Sequence, residues 1–218
     1  MEEHNFALEK RTSFRMQILK TDTRKRILAV SKKLFLKKGY RDTTTREIAR
    51  EANVTLSNLY NYFSSKDELF NTLLKPATDA LEAMLDERHG AKGTDISVIQ
   101  ADGYAEFELE EYMEIIRRHR SSLKLLLFHA QGSSLEGFKE YYVNKATRSV
   151  MTWFKEMKTK HPGINTGVSE FFIHLNNVWV FTLLEEILMH DLGEEETRSV
   201  LSDYVQFELV GWRKMMQI

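Results

Sequence analysis

Only 2 prolines and 10 glycines interrupt these 218 residues, so the chain has few places to turn. A fold of many short strands needs a turn signal roughly every 8–12 residues. Apolar side chains instead recur every three or four residues over long stretches, the spacing of an amphipathic helix. The 42% hydrophobic and 11% aromatic content fills a real core, which excludes disorder over the whole length. There is no cysteine, so disulfide scaffolds and thiolate zinc sites are excluded as well. No uninterrupted apolar run approaches the roughly 18 residues of a membrane span, and the first residues lack the apolar stretch of a secretory signal. The expectation is an all-α, cytoplasmic protein with no membrane partner.

The formal net charge of −1 hides a division. Residues 20–66 hold 12 Lys and Arg against 4 Asp and Glu, whereas residues 67–218 hold 16 against 25. A basic head on an acidic body is the charge footprint of a polyanion-binding module joined to something that does not bind polyanions.

The basic segment reads as punctuated helices. Thr21 or Asp22 can cap a first helix, with Ile27, Val30, Leu34 and Phe35 on one stripe. Gly39 stands where a helix end wants a left-handed residue. Thr44 and Glu47 fit a capping box opening a second helix, whose inner face is Ile48, Ala49 and Ala52. Asn53 tolerates positive φ and permits a tight turn. Thr55 then caps a short third helix over residues 56–62, and Ser65 with Glu68 forms a second capping box. Helix, tight turn and short exposed helix make a helix-turn-helix, whose second helix lies in the DNA major groove.

The stretch TTTREIAREANVTLSNLYNYFSSKDELF resembles the DNA-binding signature of the TetR family of transcriptional repressors. Thr45, Ile48, Ala49, Ala52, Val54, Leu59, Tyr60, Phe63, Lys66 and Leu69 all fall at family spacing. The resemblance is close over roughly residues 22–70; beyond that it extends to length and helical content. Asn53 and Ser57 depart from the Gly or Ala usual in the family, which bears on the operator sequence rather than the binding mode. The resemblance implies a three-helix DNA-binding domain over 22–66 and a helical effector-binding and dimerisation domain over 67–218, preceded by an N-terminal extension, 1–21.

Residue roles follow from chemistry and resemblance together. Thr45 can hold a phosphate through its hydroxyl and backbone N–H. Arg46 is the candidate for a bidentate guanine contact, its alternative being a solvated helix charge. Thr55, Leu56, Ser57, Asn58 and Asn61 are the exposed positions of the recognition helix: the asparagines suit adenine edges and Leu56 a thymine methyl. Tyr60 and Tyr62 match family positions that touch phosphate or the groove edge, the alternative being core packing. Lys66, at the start of the fourth helix, would clamp a phosphate together with the N-terminal amides.

In the acidic body, Pro76 falls inside a helical pattern and marks either a kink or a junction of two helices. Further helices are expected near 104–119, 121–130, 135–160, 168–190 and 194–216. The last two carry apolar residues around most of their circumference, which calls for burial on several sides. Phe171, Val178, Phe181, Leu188, Tyr204, Phe207 and Trp212 are the expected dimer interface. A two-fold homodimer would set its recognition helices about 34–36 Å apart, or a multiple, on a pseudo-palindromic double-stranded DNA operator. Phe107, Phe128, His129, Tyr142, Asn176 and Trp179 are the expected lining of a small-molecule effector pocket, with only one of Asn176 and Asn177 facing inward. The mixture suits a small, largely apolar ligand, and nothing calls for a cofactor.

An enzyme is the weaker reading. The 7 histidines are scattered, with no HExxH, Gly-rich phosphate loop or GxSxG. Glu186 and His190 share a helix face but read better as a helix-end pair than as metal ligands. A DNA-localised protein whose body recruits a protein partner is the other alternative; an enclosed cavity would favour ligand sensing over it.

Overall fold

The computed structural model describes residues 2–90 and 93–218, with side chains described from residue 20 onward. The N-terminal extension expected at 1–21 lies almost wholly outside those side chains. The chain divides into two units, Met1–Leu73 with Phe128–Leu135, and Leu74–Leu127 with Glu136–Ile218.

The first unit contains α1 (Glu2–Asp42), α2 (Thr45–Glu51), α3 (Leu56–Tyr60) and the start of α4 (Lys66–His89). Thr21 and Asp22 lie within α1 rather than capping it. Gly39 interrupts the helical run at φ 79°, ψ 170°, a conformation that needs the missing Cβ. Ile27, Phe35, Ile48, Ala52, Leu59, Phe63, Leu69 and Phe70 fill the core of this unit. Burying each large side chain contributes about 1.5–3 kcal/mol. The rings of Phe35, Tyr40 and Phe70 meet at 5.0–5.9 Å.

The caps decide where these short helices start. Thr44 accepts a hydrogen bond from the Glu47 amide at 3.2 Å and Thr55 one from Asn58 at 3.1 Å. Asn53 takes φ 51° in the turn between α2 and α3. The reciprocal half of each capping box goes elsewhere. Glu47 pairs with Lys38 at 2.5 Å, a stronger partner than a backbone amide. Glu68 accepts from the amide and hydroxyl of Ser64, both at 2.6 Å, one residue before the cap.

The second unit holds the rest of α4, then α5 (Ile96–Ile99), α6 (Tyr104–Phe128, as far as Leu127), α7 (Phe138–Lys160), α8 (Glu170–Met189) and α9 (Glu194–Met216). The helix α4 is continuous through the exposed Pro76. Likewise α6 is unbroken at Arg120–Ser122, where a break was expected. Ser122 and Leu123 are buried there, and packing overrides serine's weak preference for helix ends. One cluster joins Ile96, Trp153, Phe154, Met157, Ile164, Ile173 and Met216; another joins Leu109, Met113, Ile116, Ile187 and Leu201.

Helix α8 is long and apolar enough, by length and composition, to cross a bilayer, contrary to the expectation that no segment is. Its inner side is engaged within the unit: Ile173, Phe181, Ile187 and Leu188 are buried, Asn177 donates to Ile173 O and Thr147 Oγ1, and Glu185 pairs with Lys139 at 2.7 Å. Its outer side is apolar too. Phe171, Phe172, Leu175 and Trp179 are exposed, as are Phe207 and Val210 of α9.

Candidate nucleic-acid interface and internal cavity

Capping at Thr55 and the left-handed Asn53 fix the direction of α3, so its outer face follows from the sequence. Thr55, Ser57, Tyr60 and Asn61 are exposed, while Leu56, Asn58 and Tyr62 are partly buried. Tyr60 is 45% exposed and is no core residue. Its hydroxyl lies 3.3 Å from Thr45 Oγ1, tying the start of α2 to α3. Arg46, next to Thr45, is exposed. The structure thus brings Thr45 and Tyr60 together and leaves Arg46, Ser57 and Asn61 open to solvent.

Lys66 is placed differently from expectation. Its ammonium donates to the carbonyls of Tyr40 at 2.8 Å, Thr43 at 2.9 Å and Arg41 at 3.5 Å, and lies 4.1 Å from the centre of the Tyr40 ring. Three N–H donors meet three carbonyls, which is the whole capacity of an ammonium. Burial lowers its pKa, with Asp42 opposing. Lys66 closes the negative end of α1, where orphan carbonyls gather.

A second set of bonds fastens residues 128–135 to this unit, and nothing local in the sequence announced it. The Tyr40 amide donates to His129 O at 2.9 Å. Asp67 Oδ1 accepts from the Ser134 amide and Asp67 Oδ2 from Asn71 Nδ2, both at 2.9 Å, and Asn71 also donates to Ser134 Oγ. Burial pushes the Asp67 pKa up, but hydrogen bonds from Ser134, Tyr40 and Asn71 outweigh it and hold the carboxyl below its ordinary value. Phe128 and His129, expected to line a pocket, belong to this segment.

The second unit holds a partly open cavity of about 140 Å³. Of the expected lining residues, Tyr142 and Asn176 border it, and so does Asn177, so both neighbouring asparagines reach it. Phe107 is 57% exposed, and Trp179 lines an open groove with Phe207 instead. The cavity wall also carries charge that the sequence reading missed: Arg88, Glu108 and Glu208. Arg88 pairs with Glu108 at 2.5 Å and Glu111 at 2.8 Å, and donates to Tyr112 Oη at 3.1 Å. Burial raises the Glu108 pKa to about 7; Arg88 opposes the rise, and Glu208 and Glu111 add to it. Burial and the adjacent Arg88 push His89 down to about 3, so its imidazole is neutral. A glutamate within the apolar stripe of a helix was the available signal: Glu108 adjoins Leu109 and Glu208 adjoins Leu209, both buried.

The residues expected at a dimer interface divide by position. Phe171 and Phe207 are 70% and 64% exposed, and Val178 is partly buried. Phe181, Leu188 and Tyr204 are buried within the protomer, and Trp212 packs on Phe154 and Phe172. A helix apolar all round must spend one side on its own core, and Phe181, Leu188 and Tyr204 lie on that side, whereas the partly buried Trp212 also borders the groove of Trp179 and Phe207. Glu186 and His190 form a pair at 3.1 Å, and among the described residues no third His, Asp or Glu joins them to make a metal site.

Residues 27–73 match the family model described as bacterial regulatory proteins, tetR family. The HTH-type transcriptional regulator YvkB of Bacillus subtilis is 40% identical over 68 residues, covering 31% of this chain and 36% of YvkB. The chain thus matches about a third of that relative's length. A transcriptional regulator from Aquifex aeolicus has a similar structure, with a TM-score of 0.57 and 20% identity, over 85% of this chain and 98% of that one. NalD of Pseudomonas aeruginosa, the secondary repressor of the MexAB-OprM multidrug efflux pump, matches with a TM-score of 0.57 and 19% identity, over 85% and 94% of the two chains. At such identities these structures show a common fold.

Proposed function

We propose that this chain, which belongs to the TetR family through its N-terminal domain, is a transcriptional repressor that binds a pseudo-palindromic operator as a homodimer and is released by a small, largely apolar ligand. The observation that carries the reading is the outer face of α3, held by the Thr55 cap and the Asn53 turn on a segment with 12 basic and 4 acidic residues. Arg46, Ser57, Asn58 and Asn61 read base edges, with Leu56 against a thymine methyl. Thr45, Thr55, Tyr60 and Tyr62 hold backbone phosphates and set the register. Lys66 ties the start of α4 to the end of α1.

The exposed apolar side of α8 and α9, centred on the Trp179 and Phe207 rings 5.4 Å apart, is the homodimer face, to which Phe171 and Val178 contribute. An apolar patch of this kind on a monomer marks an interaction site, and two-fold symmetry is the commonest way to cover it. The cavity between the helices of the second unit supports ligand sensing over recruitment of a protein partner. A coupling of about 1–3 kcal/mol between ligand and operator changes DNA affinity about 5- to 150-fold.

The test is salt-dependent binding of the purified protein to DNA flanking its own coding region, against scrambled DNA of equal length. Tighter binding to the flanking DNA with a steep salt slope is expected. Equal, weak binding to both, and to a selected random-sequence library, would remove the reading.

A further inference from the structure

The cavity wall holds more negative charge than it neutralises. Arg88 Nε and Nη2 both donate to Glu111 Oε2, at 3.1 and 2.8 Å, so Glu111 alone matches the guanidinium charge. Glu108 shares the same guanidinium from the cavity side at 2.5 Å. Glu208 faces the cavity from α9, and its carboxylate receives a long hydrogen bond, 3.4 Å, from Trp212 Nε1. With every group ionised, three carboxylates stand against one guanidinium, and the neutral His89 adds no cation.

Aromatic faces surround that charge. Tyr104, Tyr112, Trp153 and Trp212 border the cavity beside Glu108 and Glu208. The adjoining smaller cavity shares Tyr112, Tyr142 and Phe181 with it and is bordered by Tyr204. The Tyr204 hydroxyl is buried, with the Glu208 carboxylate as its polar neighbour. Surplus carboxylate and aromatic faces both favour one kind of guest, an organic cation. The volume sets its size: a cavity of about 150 Å³ admits a benzene ring, and this one measures about 140 Å³.

We infer that the cavity takes a small aromatic monoamine in its protonated form, its ring among Tyr104, Tyr112 and Trp153 and its ammonium between Glu108 and Glu208. This rests on the ligand-sensing reading above and supplies the charge which that reading lacks. An organic acid would set a further carboxylate against Glu108 and Glu208, with the only guanidinium already engaged. A neutral ring would leave the charge surplus unrelieved.

A proton is the competitor for the same site. The groups around Glu108 are Arg88 and His89 on α4, Tyr104, Glu111 and Tyr112 on α6, Tyr142 on α7, and Tyr204 and Glu208 on α9. Arg88 is the one cation among them at neutral pH, and Glu108 is where a proton is held when no other cation is present. Uptake of the ammonium therefore expels that proton, and affinity climbs with pH until Glu108 is ionised without help.

The experiment is titration of the DNA-free full-length protein with benzylammonium, benzyl alcohol and benzoate, followed by calorimetry and by the fluorescence of Trp153 and Trp212. Benzylammonium is expected to bind at least tenfold more tightly than benzyl alcohol, with benzoate weakest. Its affinity should rise about tenfold between pH 6 and pH 8, from the ionisation of one group near pH 7. Glu108→Gln should abolish the pH dependence, and Glu208→Gln, at a partly exposed position that tolerates change, should reduce the preference for the cation at least fivefold. Equal binding of the three probes, tighter binding of benzoate, no binding of benzylammonium, or an unchanged preference in Glu208→Gln would each overturn the inference. Operator release is measured separately. Cation binding without release would sink the effector reading and leave this one standing, whereas release by a neutral or anionic probe would do the reverse.

Discussion

The Lys66 ammonium holds Tyr40 twice, donating to its carbonyl oxygen at 2.8 Å and lying 4.1 Å from the centre of its ring. With Arg41 O and Thr43 O as further acceptors, the side chain is saturated inside its own domain. Lys66→Ala should therefore act on stability. Charge-assisted bonds at a partly exposed site contribute on the order of 1–2 kcal/mol, so the urea midpoint should fall measurably. The slope of log affinity for DNA against log salt should stay put, whereas a residue neutralising one phosphate would change it by about 0.9. A stable variant with a flatter salt slope would restore Lys66 to the phosphate backbone.

What was legible in the sequence was local. Thr44 and Thr55 accept from amides three positions on and Asn53 acts through its own positive φ, so the helix-turn-helix could be read from one short stretch. Lys66 meets carbonyls 23 to 26 positions back, and Arg88 meets Glu108 20 positions on. Pairs of that kind depend on how helices pack, and single-helix periodicity is silent about them. The same reason explains α6, where the Ser121–Ser122 break signal lost to burial of Leu123, Leu125 and Leu126. The sequence showed that α8 is apolar around its circumference; packing decided that Phe181 turns inward and Phe171 outward.

Arg46 is exposed at the start of α2, next to Thr45 with its link to Tyr60. As a base reader it should matter at one position of the operator. Arg46→Ala is expected to lose about 1–3 kcal/mol on the best site and to relax discrimination there. Selection from a random DNA library with both proteins checks this: an unchanged consensus with uniformly weaker binding would reduce Arg46 to a phosphate contact.

Asp67 is the hub that fixes residues 128–135, through the Ser134 amide and Asn71. In Asp67→Ala the Ser134 amide loses its acceptor, and its hydrogen exchange should speed up at least tenfold while the amides of α2 change little. Acid should do the same to the wild type. The folded pKa of Asp67 lies below its ordinary value of 3.8, so its stabilisation is complete above that value and fades as pH falls through the folded one. Exchange at Ser134 that ignores both treatments would mean the segment is held by other contacts.

Phe207 is 64% exposed beside Trp179. If this face joins two copies, Phe207→Glu sets two like charges near the two-fold axis and removes apolar area from the contact. Sedimentation velocity at micromolar protein should show a monomer, and operator affinity should fall at least tenfold as the two half-sites become independent. A wild-type protein that sediments as a monomer would refute the homodimer directly.

Glu108 makes stability depend on pH in an unusual direction. Its carboxyl is pushed up to about 7 in the folded chain, chiefly by burial and against the opposing pull of Arg88; unfolded, it returns to its ordinary value of 4.5. Between those two values the folded state binds more protons than the unfolded state, so unfolding free energy falls as pH rises through the window and levels off above it. The loss is on the order of 3 kcal/mol over the whole window for a shift of this size, less where Arg88 relaxes toward the ionised carboxylate. Glu108→Gln keeps the shape and a hydrogen-bonding group but cannot ionise. Urea unfolding at pH 5.5 and 8 should show the wild type losing stability with rising pH and the variant losing much less. A wild type that gains stability over that interval, or a variant with an identical slope, would mean that Arg88 keeps Glu108 ionised throughout.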